Sequence, residues 1–261
     1  ELMQTILSKK YGVSHVRFTH HNNNVICASN NGWDESIRYL SLHDNRYLRY
    51  FKGHRDSVTS LEMAPDSDIF ISSSLDDSIR VWDLRTHGCQ GMLRRPGGAV
   101  VAFDPTGKVF GAGVSGNHVK LYDARKYGSG PFQTSKVEIG SDVEWTSMQF
   151  SPDGNKLLLS TSSGVLFILD SYNCNALQQL TGHQQSSAYQ LRPCFSPDSK
   201  YVMCGAEDGL IHVWSAETGR RIARWGDHAG PVGSVLWNPT LKMVASACTN
   251  LALWLPLDTD R

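Results

Sequence analysis

Residues 69–83 read Ile69-Phe70-Ile71-Ser72-Ser73-Ser74-Leu75-Asp76-Asp77-Ser78-Ile79-Arg80-Val81-Trp82-Asp83, and the fold is decided here. The first half is rich in small, β-branched and aromatic residues, the composition of a short buried strand. An Asp-containing turn follows, then a second strand ending on a bulky aromatic side chain. Working outward, a large apolar or aromatic residue two positions before proline recurs at Met63-Ala64-Pro65, Phe103-Asp104-Pro105, Phe150-Ser151-Pro152, Phe195-Ser196-Pro197 and Trp237-Asn238-Pro239, with a weaker copy at Phe18-Thr19-His20. Ahead of several of these points, Val13-x-x-Val16-x-Phe18 and Val232-x-x-Val235-x-Trp237 spell a half-buried strand with a local irregularity. After them comes a turn such as Pro152-Asp153-Gly154 and another short strand. The slot of Trp82 is refilled by Leu40, Tyr122, Leu169, Trp214 and Trp254.

The prolines are 40, 47, 45 and 42 residues apart, the length of one four-stranded propeller blade. Six repeats are predicted, at about 11–52, 53–93, 94–134, 142–181, 182–225 and 228–256, within a single domain spanning 1–261. Two copies carry a polar set that resembles the WD-repeat family: Gly53-His54, Ser72, Asp76 and Trp82, and Gly182-His183, Asp208 and Trp214. The resemblance implies an all-β WD-repeat β-propeller in which the loop histidine bridges the turn aspartate and a serine, whose hydroxyl meets the tryptophan N–H. Such a chain satisfies buried polar groups that would otherwise cost roughly 1–3 kcal/mol each. In the second set Cys204 stands where the serine belongs, so that chain is expected to be weaker.

Residues 1–10, with Met3-Gln4-Thr5-Ile6-Leu7, read as a lone outer strand, and the last repeat ends its third strand at Trp254. Propellers close by pairing an N-terminal strand with the last blade, which removes an exposed sheet edge. Six-blade closure, Met3 to Leu7 beside Leu251 to Trp254, is one expectation. The other comes from longer strings. Arg38 to Phe51, Trp82-Asp83-Leu84-Arg85 with Cys89-Gln90-Gly91, Lys120-Leu121-Tyr122-Asp123 with Gly130-Pro131-Phe132, Glu144-Trp145-Thr146 and Leu253-Trp254-Leu255-Pro256 resemble, nearly end to end, the WD-repeat subunit shared by COMPASS-type histone methyltransferase complexes and by transcription-termination or phosphatase assemblies. Asn31-Gly32-Trp33-Asp34 and Tyr50 to His54 are similar to its plant and algal members. That family has seven blades, so the resemblance implies a chain lacking most of the first blade and less stable for it: uncovering several hundred Å² of apolar blade face removes on the order of 10 kcal/mol.

Composition narrows the function classes. With 25 basic and 25 acidic side chains the net charge is zero, which is not the global basicity of many nucleic-acid binders. No apolar run approaches the eighteen or so residues that span a bilayer, and the N-terminal residues lack a signal-peptide pattern, so the chain reads as soluble and intracellular. The six cysteines, Cys27, Cys89, Cys174, Cys194, Cys204 and Cys248, show no C-x-x-C pairing and read as reduced, mostly buried thiols. Proline disqualifies Asn238-Pro239-Thr240 as a glycosylation site.

Chemistry-bearing motifs are few. Gly111-Ala112-Gly113-Val114-Ser115-Gly116 spells G-x-G-x-x-G, but it falls between two strands of a repeat and reads as a hairpin rather than a dinucleotide site. No zinc-ligand spacing occurs, and the serine of a WD set would be sequestered under tryptophan rather than facing a pocket. No cofactor, metal or catalytic residue is therefore expected. The better constellation lies in loops joining the fourth strand of one blade to the first of the next: Lys9 and Lys10, His54 and Arg55, Arg94 and Arg95. Converging, they would suit an acidic or phosphorylated partner, with Asp56, Glu144 and Asp227 partly cancelling their field; dispersed, they are solvated loop charge. Trp145, at a strand entrance, is either an interface anchor or core.

The family resemblance implies a non-catalytic nuclear scaffold of a histone methyltransferase complex, linked to transcribing RNA polymerase II through its phosphorylated tail, with protein partners and no direct nucleic-acid, membrane or small-molecule ligand. An alternative class is a substrate receptor of a cullin-type ubiquitin ligase, since Trp82-Asp83-Leu84-Arg85 fits the W-D-x-R box and Tyr122-Asp123-Ala124-Arg125 nearly repeats it.

Overall fold

A computed structural model describes residues 5–94, 97–115, 117–140, 143–183 and 190–255, so Met3 and Gln4 of the proposed outer strand lie outside the described residues. Two compact units are present, residues 1–116 with 120–132, and residues 117–119 with 133–261. The structure is all β, the single helical element among the described residues being one 3-10 turn at Tyr127–Ser129. Among the described residues no helix is long and apolar enough to cross a membrane.

In the first unit, β1 (Ser14–Phe18), β2 (Asn24–Ala28), β3 (Ile37–Ser41) and β4 (Arg46–Phe51) form one antiparallel sheet in chain order. A second is made of β5 (Val58–Met63), β6 (Ile69–Ser74), β7 (Ser78–Asp83) and β8 (Cys89–Arg94), and a third begins with β9 (Ala99–Phe103), β10 (Val109–Val114) and β11 (His118–Asp123); β12 (Gln133–Lys136) lies among the residues of the second unit. Sequence explains the order within each sheet. The second strands β2, β6 and β10 are buried along almost their whole length and are runs of apolar and small residues, whereas the fourth strands β4 and β8 alternate between exposed and half-buried positions, the period-2 pattern of a strand with one wet face. The irregularity read in the first strands is a register shift, between Ser14 and Val16 and between Val58 and Ser60, as at a β-bulge.

Neighbouring sheets of this unit share cores. Ile26, Ile37, Phe51, Leu61, Phe70 and Trp82 form one, and Ile71, Ile79, Val101, Phe110, Ala112 and Tyr122 another. Polar ties cross the same seams: Arg17 Nη2 meets Glu62 Oε1 at 2.5 Å, and the Thr59 and Ser60 hydroxyls donate to the Ala99 and Val101 carbonyls at 2.8 and 3.1 Å. Gly111 to Val114 lie within β10, paired antiparallel with β9, and the chain returns as β11. The strand-to-helix turn that gives G-x-G-x-x-G its phosphate-binding geometry is replaced by a hairpin.

The second unit repeats the plan with β13 (Trp145–Phe150), β14 (Lys156–Thr161), β15 (Leu166–Asp170) and β16 (Ala176–Leu180), then β17 (Cys194–Phe195), β18 (Tyr201–Gly205), β19 (Ile211–Ser215) and β20 (Arg221–Trp225). A last sheet holds β21 (Ser234–Trp237), β22 (Val244–Ala247) and β23 (Leu251–Trp254). Leu158, Leu166, Leu180, Phe195, Cys204 and Trp214 make one core, and Met203, Ile211, Val213, Val232, Val235 and Val244 the next. All six cysteines are free thiols, four buried and two, Cys89 and Cys248, half-buried.

Candidate functional site

The polar set of the second sheet assembles as a continuous chain. Trp82 Nε1 donates to Ser72 Oγ at 2.8 Å, Ser72 Oγ lies 2.7 Å from His54 Nε2, and His54 Nδ1 lies 3.0 Å from Asp76 Oδ2. The carboxylate can only accept, which places the ring proton on Nδ1; Nε2 then accepts the Ser72 hydroxyl, and Ser72 accepts the indole N–H. Asp76 also accepts from the Ser78 hydroxyl at 2.6 Å and the Arg55 backbone N–H at 3.0 Å. Burial acts to raise its pKa, but the hydrogen bonds from Ser78, Arg55 and His54 outweigh it and hold the group at about 2. Burial keeps the His54 imidazole below its ordinary value and neutral. Ser72 is 0% exposed, so this serine, histidine and aspartate hold strands together and offer a substrate no approach.

The fifth sheet is wired differently. With Cys204 in the serine position, Trp214 Nε1 donates instead to the Thr181 carbonyl at 3.2 Å, and Asp208 Oδ2 lies 3.3 Å from His212 Nε2. His183 packs edge-on against Trp214, ring centroids 5.3 Å apart. A further chain, which sequence reading missed, threads the last sheet: Trp254 Nε1 donates to Ser246 Oγ at 2.7 Å, Ser246 Oγ lies 2.7 Å from His228 Nε2, and His228 Nδ1 lies 3.1 Å from Cys248 Sγ. The signal was present in the spacing, since histidine and serine are 18 residues apart in both chains.

The basic residues proposed for partner binding take similar places in the first unit. Lys9 and Lys10 lie exposed in the turn before β1, Arg55 is exposed between β4 and β5, and Arg94 is the exposed last residue of β8. Arg95 lies outside the described residues. Behind Lys10 is an aromatic cluster that sequence reading did not foresee. Lys10 Nζ sits 5.0 Å from the Tyr11 ring centroid, and Tyr11 packs 5.8 Å from Trp33 and 6.0 Å from Tyr47, which in turn lies 5.5 Å from Tyr50. The Arg38 guanidinium, 1% exposed, stacks 3.7 Å beneath Tyr11 and pairs with Asp34 Oδ2 at 2.8 Å. Cation–π stacking and ion pairing thus fix the platform from below, while Trp33, 63% exposed, and Tyr50 present rings to solvent. These four aromatics are scattered over forty positions, so only an exposed tryptophan beside a turn glycine, Gly32-Trp33, could have flagged the cluster.

Acidic groups temper this surface. Burial raises the Glu35 pKa, with the Asp56 and Asp34 charges adding to it. Burial acts to raise Asp34 as well, yet hydrogen bonds from Ser36 and Arg38 hold it below the usual range. Trp145, in the second unit, is the first residue of β13, half-buried and edge-on to Phe167 at 6.1 Å. Its indole Nε1 is buried with no hydrogen-bond partner among the described residues. In the W-D-x-R box Arg85 is 71% exposed on its side chain but folds back onto its own turn, Nη2 and Nε reaching Asp83 at 2.7 and 3.0 Å. No group of three or more histidine, cysteine or acidic side chains suited to a metal occurs among the described residues.

Antiparallel sheets of this form, with indole, serine and histidine chained across two of them, define a WD-repeat β-propeller protein. The family described as WD domain, G-beta repeat matches residues 45–83 and 174–215. The chain is 46% identical over 258 residues to WD repeat-containing protein 82 of Drosophila melanogaster, an alignment spanning 98% of this chain and 81% of that protein. It is 38% identical over 211 residues to the Set1 complex component swd2 of Schizosaccharomyces pombe (77% of this chain, 58% of that protein) and 36% identical over 224 residues to the COMPASS component SWD2 of Saccharomyces cerevisiae (82% and 67%). The chain belongs to the family of WD repeat-containing protein 82.

Proposed function

We propose that this protein is a non-catalytic WD-repeat scaffold subunit of a COMPASS-type histone methyltransferase complex, acting in the nucleus as one propeller domain and linking that complex to transcribing RNA polymerase II. The observation that carries the reading is its similarity to relatives named as components of Set1 and COMPASS complexes. What supports an interface is Lys10 stacked on Tyr11 in a cluster whose Trp33 and Tyr50 rings face solvent, tyrosine and tryptophan being residue types that dominate binding energy at protein contacts. Lys9, Lys10, Arg55 and Arg94 would recognise phosphate through charge-assisted hydrogen bonds, and the Trp33 and Tyr50 rings would cover the flanking apolar groups of a peptide.

Purification of the protein from nuclei is expected to recover methyltransferase subunits, and recovery of a cullin adaptor without them would overturn the reading. Titration with phosphorylated and unphosphorylated polymerase-tail peptides should favour the phosphorylated form, with affinity falling as salt rises. Alanine at Lys10, Arg55 and Arg94 together should weaken that binding. Equal affinity for both peptides in the parent protein would remove the polymerase link while leaving complex membership standing. The ubiquitin-ligase alternative rests on Trp82-Asp83-Leu84-Arg85, in which the exposed Arg85 guanidinium is bonded to Asp83.

A further inference from the structure

In the last sheet Cys248 stands where the second sheet has an aspartate. Asp76 accepts from His54 Nδ1 and from the backbone N–H two residues on, Ser78, at 3.0 Å each. Cys248 Sγ likewise lies 3.1 Å from His228 Nδ1 and accepts the N–H two residues on, Asn250, at 3.3 Å. The Thr249 hydroxyl is 3.6 Å away. Trp254 can only donate, so Ser246 accepts the indole N–H; with the Ser246 hydroxyl donated on to His228 Nε2, as Ser72 donates to His54, the ring proton sits on Nδ1 and is directed at the sulfur. In that arrangement the sulfur faces two donors, the His228 Nδ1–H and the Asn250 backbone N–H, which favour the anion. The other half-buried thiol makes the opposite contact: Cys89 Sγ donates to the Gly91 carbonyl at 3.0 Å, which requires its proton.

We propose that Cys248, paired with His228, is a nucleophilic thiolate that takes the structural place of the missing aspartate and is a site of oxidation by hydroperoxides. In that step the sulfur attacks the terminal peroxide oxygen; an S–O bond forms, the O–O bond breaks, and the departing alkoxide, or hydroxide from hydrogen peroxide, takes up the proton lost by the thiol, giving sulfenic acid and an alcohol or water. Sulfur is oxidised by two electrons and the peroxide is reduced. The product is a neutral hydroxyl-bearing sulfur, a poorer acceptor for His228, so oxidation loosens the chain that holds β22 and β23 together. Position supports the assignment: Cys27, Cys174, Cys194 and Cys204 are buried, and burial pushes their thiols up, Cys174 to about 11 and Cys194 to about 12. Hydrogen bonds from Asn250 and Thr249 draw Cys248 down.

The test labels the folded chain with limiting iodoacetamide at neutral pH and quantifies all six cysteines by peptide mass spectrometry, then repeats it with hydrogen peroxide and a sulfenic-acid trap. Cys248 is expected to react about tenfold or more faster than Cys89 and to be the principal trapped site. Replacing His228 with Phe should slow Cys248 severalfold relative to Cys89. Cys248→Asp, which restores the Asp76 arrangement, should keep the parent urea midpoint, whereas Cys248→Leu should lower it. A uniform rise at every cysteine in the His228 variant would report unfolding, and the parent ratio then decides. Parent rates for Cys248 and Cys89 within a factor of about two, or Cys248→Asp no more stable than Cys248→Leu, would overturn the proposal.

Discussion

Replacing Ser72 with alanine removes one oxygen and two hydrogen bonds. The Trp82 indole N–H, on a residue with no solvent exposure, loses its acceptor, and a buried donor left unsatisfied costs roughly 1–3 kcal/mol. His54 Nε2 loses its donor as well, although Nδ1 keeps Asp76; a neutral hydrogen bond of this kind contributes about 1 kcal/mol. The methyl group fills most of the space of the hydroxymethyl, so no cavity of consequence opens. Together these losses amount to about 2–4 kcal/mol, a large share of the 5–15 kcal/mol typical of a whole domain.

Trp82→Phe makes the decisive companion. Phenylalanine has no N–H to orphan, so in that background Ser72→Ala should cost less than in the parent by about 1–2 kcal/mol, the coupling expected of residues in one network. Urea unfolding followed by fluorescence and circular dichroism gives all four corners of the cycle, with the midpoint read only where the slope is unchanged. If the two substitutions add to within about 0.5 kcal/mol, the indole–serine bond is not what stabilises this sheet and the energetic account of the chain is wrong.

Stability should fall with acid in two stages, both traceable to the same chain. His54 has a lowered folded value, so the unfolded chain binds the extra proton first and stability begins to drop as pH falls through about 6.5; Asp76, held at about 2, adds stability that is present above about 4 and lost as pH falls from there towards 2, and His54→Gln should flatten the first stage of a urea-midpoint profile. Cys204→Ser should not stabilise the fifth sheet, because Trp214 already donates to Thr181; a midpoint gain worth more than about 1 kcal/mol would show that the indole prefers a hydroxyl there. Gly205→Ala would place a methyl 2.1 Å from the Val232 carbonyl oxygen, a backbone atom, whereas Gly91→Ala meets only the tip of the Tyr127 side chain. Thermal unfolding should therefore register a loss of about 2 kcal/mol or more for the first and under about 1 kcal/mol for the second.

What could be read from the sequence, and what could not, divides along a physical line. Strand order and burial were legible because each blade repeats one local grammar: an apolar second strand, an aspartate turn, a third strand ending at the Trp82 slot, all within about forty residues. The Cys248 chain escaped because its parts depart from that grammar. His228 follows Asp227 rather than glycine, cysteine replaces the turn aspartate, and Ser246 is 8 residues from Trp254 where Ser72 is 10 from Trp82. The aromatic platform escaped for a different reason. Tyr11, Trp33, Tyr47 and Tyr50 share no period, and each by itself is the residue one expects to pack inside a strand. They assemble because Arg38, buried on β3 between Ile37 and Tyr39, must find a partner for its charge; Asp34 supplies the ion pair and Tyr11 the stacking face. An arginine in a buried strand position is therefore the residue that forces the surrounding loops into place. Arg38→Met tests that order of cause: with the charge gone, Asp34 loses its ion pair and the loops at Tyr11 and Trp33 should loosen, seen as faster amide exchange over 8–13 and 30–36 while the Trp82 chain stays protected. Unchanged exchange in those loops would show that the platform stands without its arginine.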